Sequence, residues 1–226
     1  MTHLAKVVSA TAVIGTAVTG GIYLGTDFFK DKKVEIAVLL KTSHPNKRLI
    51  TSKSVSDDSW KKAYKAYREA NKDKIKDIWN LKDWTKPSAT VDETNATDDF
   101  ISKCNSNSKL EVDGSSDPLY EQVLAYCTRD TLVSDLISEY GKGKRLLSKD
   151  GSDQEDAWKA AWNIYKTQNK DKEENQDPWK LSEWKNKKSG NELPNDYKDK
   201  CVEYSQKPAY QLENENYKNV LDWCTV

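Results

Sequence analysis

Apolar residues return in this chain with a helical period at several separate places. Trp60, Tyr64 and Tyr67 fall at i, i+4 and i+7, with Ala63 on the same face. That spacing lines one side of an amphipathic helix and predicts an aromatic stripe turned into a core. Ser56-Asp57-Asp58 just before it supplies a capping residue and acids suited to the positive end of the helix dipole. Asp117-Pro118 opens another helix, with Pro at the first helical position and Tyr120, Val123, Leu124 and Cys127 along it. A short helix is expected from Asp99 to Cys104. Leu132, Val133, Leu136, Ile137 and Tyr140 mark a further one, ended by Gly141-Lys142-Gly143. Val34 to Leu40 is apolar enough for a short helix or strand before a turn at His44-Pro45-Asn46.

The pattern is written twice. Trp158, Ala161, Trp162 and Tyr165 reproduce the stripe, and Ser152-Asp153-Gln154-Glu155 reproduces its start with capping-box spacing. Asn71-Lys72-Asp73-Lys74 corresponds to Asn169-Lys170-Asp171-Lys172, and Trp79-x-Leu81-x-x-Trp84 to Trp179-x-Leu181-x-x-Trp184. Tyr217, Val220, Leu221 and Cys224 repeat the last helix. Cys104 and Cys127 each lie 97 positions before Cys201 and Cys224. Lys47-Arg48-Leu49 returns as Lys144-Arg145-Leu146 and marks the start of the duplicated unit.

Val7 to Thr26 carries no charged residue. As a helix it would cover about 30 Å, the thickness of the hydrocarbon core. An uncleaved membrane anchor is the leading reading; a cleaved signal peptide and a buried helix are the alternatives. Ala17, Gly21 and Gly25 recur at spacing four, which suits weak helix-mediated self-association, although small residues also populate signal sequences. The expected organisation is an N-terminal segment over 1–27, a linker over 28–46, a first helical repeat over 47–128, a helical connector over 129–143 and a second repeat over 144–226. The fold class is then mainly α: an N-terminal transmembrane helix followed by two tandem copies of a small disulfide-stabilised helical unit.

Composition adds to this. The 226 residues carry a formal net charge of zero with 32% charged side chains, so the basic excess expected of a nucleic-acid binder is missing. Units of about 80 residues bury a limited share of their surface. All eight Trp lie inside the repeats and offset that with large apolar area. The four Cys form no CxxC. Disulfides Cys104–Cys127 and Cys201–Cys224 are the favoured reading, each worth roughly 3 kcal/mol in the chain-entropy model. A zinc site sharing four thiols, or free thiols, are the alternatives. Disulfides imply an oxidising compartment and hence extracellular repeats. Lys30, Lys32 and Lys33, after the apolar run, argue the opposite orientation by the positive-inside rule.

Catalytic signals are sparse. The two His, His3 and His44, lie outside the repeats, so no Ser-His-Asp or Cys-His site is expected within them. Asp57/Asp58 and Asp98/Asp99 read as helix starts. No phosphate loop, metal site or cofactor is expected, and the chain reads as a non-enzyme. The candidates for a binding surface are Trp79, Trp84, Trp179 and Trp184. Their i to i+5 spacing keeps the paired rings off a common helical face, so one of each pair could line a groove.

The GTAVTGG of the apolar segment, the WKKAY and WKAAW helices and the closing YCT and WCT resemble the uncharacterised paralogous protein families of haemotropic mycoplasmas. The resemblance implies a membrane-associated, surface-exposed protein that contributes to antigenic variation or host contact, with no catalytic residues. The function expected is a membrane-anchored antigen or host-interaction module at the cell membrane, meeting host-cell surface or antibody. The alternative is a ligand-binding module with a Trp-lined groove within or between the repeats.

Overall fold

The computed structural model of the chain describes residues 33–87, 90–151 and 154–226. A first unit runs through β1 (Val34–Glu35), α1 (Ile36–Ser43), β2 (Lys47–Leu49), α2 (Asp58–Asn71), α3 (Asp98–Asn107), β3 (Glu111–Val112), α4 (Pro118–Tyr126) and β4 (Thr128–Asp130). A second contains α5 (Val133–Tyr140), α6 (Glu155–Asn169), α7 (Trp184–Lys187), α8 (Tyr197–Ser205) and α9 (Glu215–Trp223). β1 pairs with β3 and β2 with β4, both antiparallel. The second unit keeps both pairings as single bridges, Leu132 with Pro208 and Leu146 with Thr225. Each bridge lies 97 positions beyond its counterpart, Glu35 with Glu111 and Leu49 with Thr128.

The described residues correct the membrane reading. No helix among them is long and apolar enough to cross a membrane, and the apolar run over 7–26 lies outside them. The transmembrane helix leaves the fold class, which is a mainly helical, disulfide-containing fold. The cell-membrane location with extracellular repeats, the membrane, host-surface and antibody contacts, and the self-association through Ala17, Gly21 and Gly25 go with it.

Each unit also begins one helix earlier than the repeated KRL motif suggests. Ile36, Leu39 and Leu40 of α1 belong to the first core, and Val133, Leu136 and Ile137 of α5 to the second. The stretches over 28–46 and 129–143 therefore contain the first helix of each unit rather than spacers. Their kinship rests on the shared offset of 97 positions, and side-chain changes such as Ile36 to Val133 and Leu40 to Ile137 conceal it.

Helices α2 and α6 turn their aromatic stripes inward, burying Trp60, Tyr64 and Tyr67 in one unit and Trp158, Trp162 and Tyr165 in the other. Asp57 starts α2 by accepting from the Ser59 and Trp60 N–H groups, and Asp117 starts α4 by accepting from Leu119 N–H ahead of Pro118. After α2 and α6 the chain re-enters the core as a turn, not a helix. Asn80 and Lys180 take left-handed φ angles of 51° and 49° at equivalent places, which lets the flanking Trp79 and Leu81, or Trp179 and Leu181, both point inward.

A buried turn leaves peptide N–H groups without water, and each must find an acceptor. Asp77, 3% exposed, takes the Tyr67 hydroxyl and the Trp79 N–H (2.9 Å) on one oxygen and the Leu81 N–H (3.0 Å) on the other. Asp177, 2% exposed, takes the Tyr165 hydroxyl at 2.5 Å and the Leu181 N–H at 3.0 Å, while Trp179 N–H donates to the Tyr165 oxygen. Asn71 and Asn169 donate back to the carbonyls of Tyr67 and Tyr165 within their own helices, and in the first unit the Asn71 side chain also accepts from Ile78 N–H, joining helix end to turn. Burial, then the neighbouring aspartate, pushes both phenols above their ordinary value, so each stays a donor. Disulfides Cys104–Cys127 and Cys201–Cys224, with Cα atoms 5.4 and 5.6 Å apart, tie α3 to the end of α4 and α8 to the end of α9.

Removing the acceptor is the severe change. Asp177→Ala orphans a buried hydroxyl and a peptide N–H and is expected to cost roughly 3 kcal/mol or more, whereas Tyr165→Phe is expected to cost about 1–2 kcal/mol. Urea unfolding of the full chain measures both. Equal, sub-kcal effects would contradict the role given to the aspartate.

Candidate functional site

The two units meet where β2 and β4 of the first face α5 of the second. In the β2–β4 register Arg48 lies opposite Arg129. Like charges directly opposite repel, so such a pair needs counter-charges. Helix α5 supplies them one turn apart. Arg48 donates to both Glu139 oxygens at 3.0 and 2.8 Å, and Arg129 to both Asp135 oxygens at 2.6 and 2.9 Å. Two-pronged arginine–carboxylate contacts fix orientation as well as distance. Asp135 also accepts from Leu132 N–H at 2.8 Å, so the clasp caps the helix that it holds.

Thr131, only 1% exposed, is the knot between the units. Its N–H donates to Asn46 O and its hydroxyl to Pro45 O on the first unit. Its carbonyl accepts from Ala209 N–H on the second, and Val133 N–H donates to Lys207 O beside it.

The knot leaves a hollow on each side. One, of about 230 Å³, is lined by Asn46, Asp130 and Thr131 from one side and by Pro208, Ala209, Tyr210, Gln211 and Asn214 from the other. Tyr210 is 52% exposed there. Asn214 is committed to capping α9 at Tyr217 N–H, and Asp130 to Lys47 at 2.8 Å. The side chains of Asn46, Tyr210 and Gln211 make no hydrogen bond among the described residues. The other hollow, of about 410 Å³, is edged by Lys47, Ser59, Lys62, Arg129 and Gln206. Of its cations, Lys47 and Arg129 already hold carboxylates.

No family model matches the chain, and no curated protein or solved structure matches it either. The junction is therefore interpreted from its own chemistry.

The tryptophans proposed from the sequence as a binding surface are placed in the cores. Trp79, Trp179 and Trp184 are 7%, 2% and 0% exposed. Trp84 packs partly buried against the first core, and its indole N–H donates to Lys74 O, as that of Trp184 does to Lys172 O. The reason is the turn: with Trp79 and Trp84 on a tight left-handed bend rather than a helix, both rings reach Tyr67, at 4.7 and 6.1 Å between centroids. None of the four lines either junction hollow. Cys104, Cys127, Cys201 and Cys224 are all spent in disulfides. His44 sits at the end of α1 with Nδ1 2.6 Å from the hydroxyl of Tyr120, itself buried in the first core. Asp57 is a helix cap, and Asp99 accepts from Lys82 N–H. Among the described residues no group of three or more His, Cys, Asp or Glu is placed to hold a metal ion.

Sequence reasoning passed over Arg48, Arg129, Asp135, Glu139 and Tyr210. A signal for the clasp was present in the repeat alignment. At 97 positions' distance, Asp135 and Glu139 of α5 correspond to Val38 and Thr42 of α1, and Arg129 corresponds to Val226. These two acids and Arg129 have no charged counterpart in the other copy, and all three meet at the junction.

Burial would raise the Asp135 carboxyl, but hydrogen bonds from Arg129 and Leu132 N–H outweigh it and hold the group below its ordinary 3.8. The hydrogen bond that Arg129 donates to Asp135 in turn holds its own guanidinium up, so the arginine stays charged throughout. A carboxyl lowered by folding contributes stability that is present above its unfolded value and lost as pH falls through its folded value. The clasp is thus expected to hold at neutral pH and to release in acid below 3.8. A carbon-detected NMR titration of Asp135 checks this: the midpoint lies below 3.8 in the parent chain and rises in Arg129→Gln. A midpoint unmoved by that substitution would contradict the pairing.

Proposed function

We propose that the chain is a non-catalytic binding module that takes a small polar ligand, a sugar ring in chemical class, in the hollow between its two units. This retains the ligand-binding alternative and moves it from the tryptophans to the junction. The observation that carries it is the lining. A half-exposed aromatic, Tyr210, stands beside Asn46 and Gln211, whose amides have no partner among the described residues. A phenol offers an apolar face with a polar tip, and an amide offers donor and acceptor together, a match for the C–H face and vicinal hydroxyls of a sugar. A volume of about 230 Å³ suits one ring; pockets for drug-sized ligands run from roughly 300 to 1,000 Å³. Because the lining comes from both units, the clasp of Arg48 and Arg129 on α5 sets the width of the hollow. The non-enzymatic reading is supported by the commitment of the junction carboxylates: Asp135 and Glu139 to arginines, Asp130 to Lys47. Kinship with the paralogous families of haemotropic mycoplasmas belongs to the same proposal and is supported by the short shared motifs alone.

A titration of the full chain with a panel of monosaccharides, followed by amide NMR shifts, tests the site. At least one sugar is expected to shift Asn46, Thr131, Tyr210 and Gln211 together, and Tyr210→Ala is expected to weaken that binding about tenfold, the loss of one stacking contact of about 1.4 kcal/mol. Shifts confined to other surfaces, or none with any sugar, would overturn the assignment.

A further inference from the structure

The larger hollow at the junction carries groups that the clasp does not use. Of the cations along it, Lys47 holds Asp130 and Arg129 holds Asp135, while Lys62 pairs with no carboxylate among the described residues. The two acids that start α2 are engaged elsewhere. Asp57 accepts from Ser59 and Trp60 N–H, and Asp58 pairs with Lys61 at 3.0 Å. The side chains of Ser59 and Gln206, also in the lining, make no hydrogen bond among the described residues. Building α2 does not require a cation at Lys62, because α6 forms with Ala160 at the equivalent place.

The two hollows share a rim. Asp130 and Pro208 line both and are exposed, so they form a saddle between them. On one side of the saddle Tyr210 stands with two amides, and the one charged side chain in that lining, Asp130, is paired with Lys47. On the other side are an ammonium group, a hydroxyl and an amide, all with hydrogen-bonding capacity to spare. The first hollow, of about 230 Å³, suits a neutral ring; the second, of about 410 Å³, has room for a ring and a substituent.

We propose that the two hollows are subsites of one groove, and that its ligand is an acidic saccharide of at least two rings. A neutral ring lies against Tyr210 in the smaller hollow, and the next ring, carrying a carboxylate, crosses the saddle into the larger one. There Lys62 meets the carboxylate, and Ser59 and Gln206 meet ring hydroxyls. The inference rests on the smaller hollow being a sugar site and adds the charge and length of the sugar. Three cations along the larger hollow face two carboxylates, Asp130 and Asp135, so one carboxylate on the ligand balances the charge there. Because Lys62 is exposed, its contribution is modest and is screened by salt.

The test uses cellobiose, maltose and lactose, each as the neutral disaccharide and as the form whose non-reducing ring is oxidised to a uronic acid. Affinities and amide NMR shifts are measured on the full chain. At least one uronic form is expected to bind about fivefold tighter than its neutral parent, and to shift Tyr210 and Gln211 together with Ser59, Lys62 and Gln206. Lys62→Ala, which gives α2 the residue that α6 already has, is expected to abolish that advantage and leave the neutral parent's affinity unchanged. Lys103→Ala, on α3 and in neither lining, is the control for net charge and leaves both affinities unchanged. Tyr210→Ala is expected to weaken both forms alike. Neutral disaccharides that shift the smaller hollow, with no gain from the acid or a gain that survives Lys62→Ala, would overturn this inference alone. Uronic forms that shift only the larger hollow and ignore Tyr210→Ala would overturn the sugar site in the smaller hollow, and the groove with it. No binding by any of the six would overturn both.

Discussion

Each unit of this fold depends on one buried carboxylate. A turn rich in tryptophan can enter an apolar core only if its peptide N–H groups find acceptors there, since water cannot follow. Asp77 and Asp177 fill that need from inside the turn, and the phenols of Tyr67 and Tyr165 hold the aspartates in place from the helix behind. With the turn fixed, the indoles of Trp79 and Trp84 pack on Tyr67, and those of Trp179 and Trp184 on Tyr165. The disulfides close each unit beside this cluster, since Tyr126 and Trp223, next to Cys127 and Cys224, pack on Tyr67 and Tyr165. A domain of this size would be marginal on apolar area alone. The aromatic core and the disulfide both add to its stability.

Joining two such units creates a different problem, solved with charge. The strands that close the first unit put two arginines opposite one another, an arrangement that one unit alone would pay for in repulsion. The acids of α5 turn that liability into the joint. Duplication therefore did more than lengthen the chain: it produced a face on which the copies had to diverge. The junction also leaves a polar hollow beside Thr131, lined from both units.

Much of the architecture was legible in the residues. The i, i+4, i+7 aromatics announced α2 and α6, Asp-Pro announced α4, and the fixed offset of the cysteines announced a repeated unit. Three things were hidden, each for a physical reason. The first helix of each unit is only eight residues long, and its apolar positions differ between copies, so similarity alone did not join α1 to α5. The Trp79 and Trp179 turns bend through left-handed φ at Asn80 and Lys180; asparagine is a residue type that adopts it but lysine is not, so the shared bend does not show in the repeat. The four tryptophans then seemed available for a surface groove, whereas the bend carries them inside. The hollow was hidden because its residues are far apart in sequence: Asn46 and Tyr210 share a wall only after both units have folded and met. The membrane reading rested on residues 7–26, and the described residues hold no membrane-crossing helix to extend it.

The central claim is that the two units are clasped into one body by Arg48 and Arg129 on α5, and that this clasp builds the hollow. Residual dipolar couplings measured for the full chain test it most directly, because each unit reports its own orientation. The account predicts that one alignment tensor fits both units at neutral pH, and that Arg48→Ala with Arg129→Ala splits it into two while each core keeps its couplings. Two independent tensors in the unaltered chain, or a single tensor that survives the loss of both arginines, would contradict it.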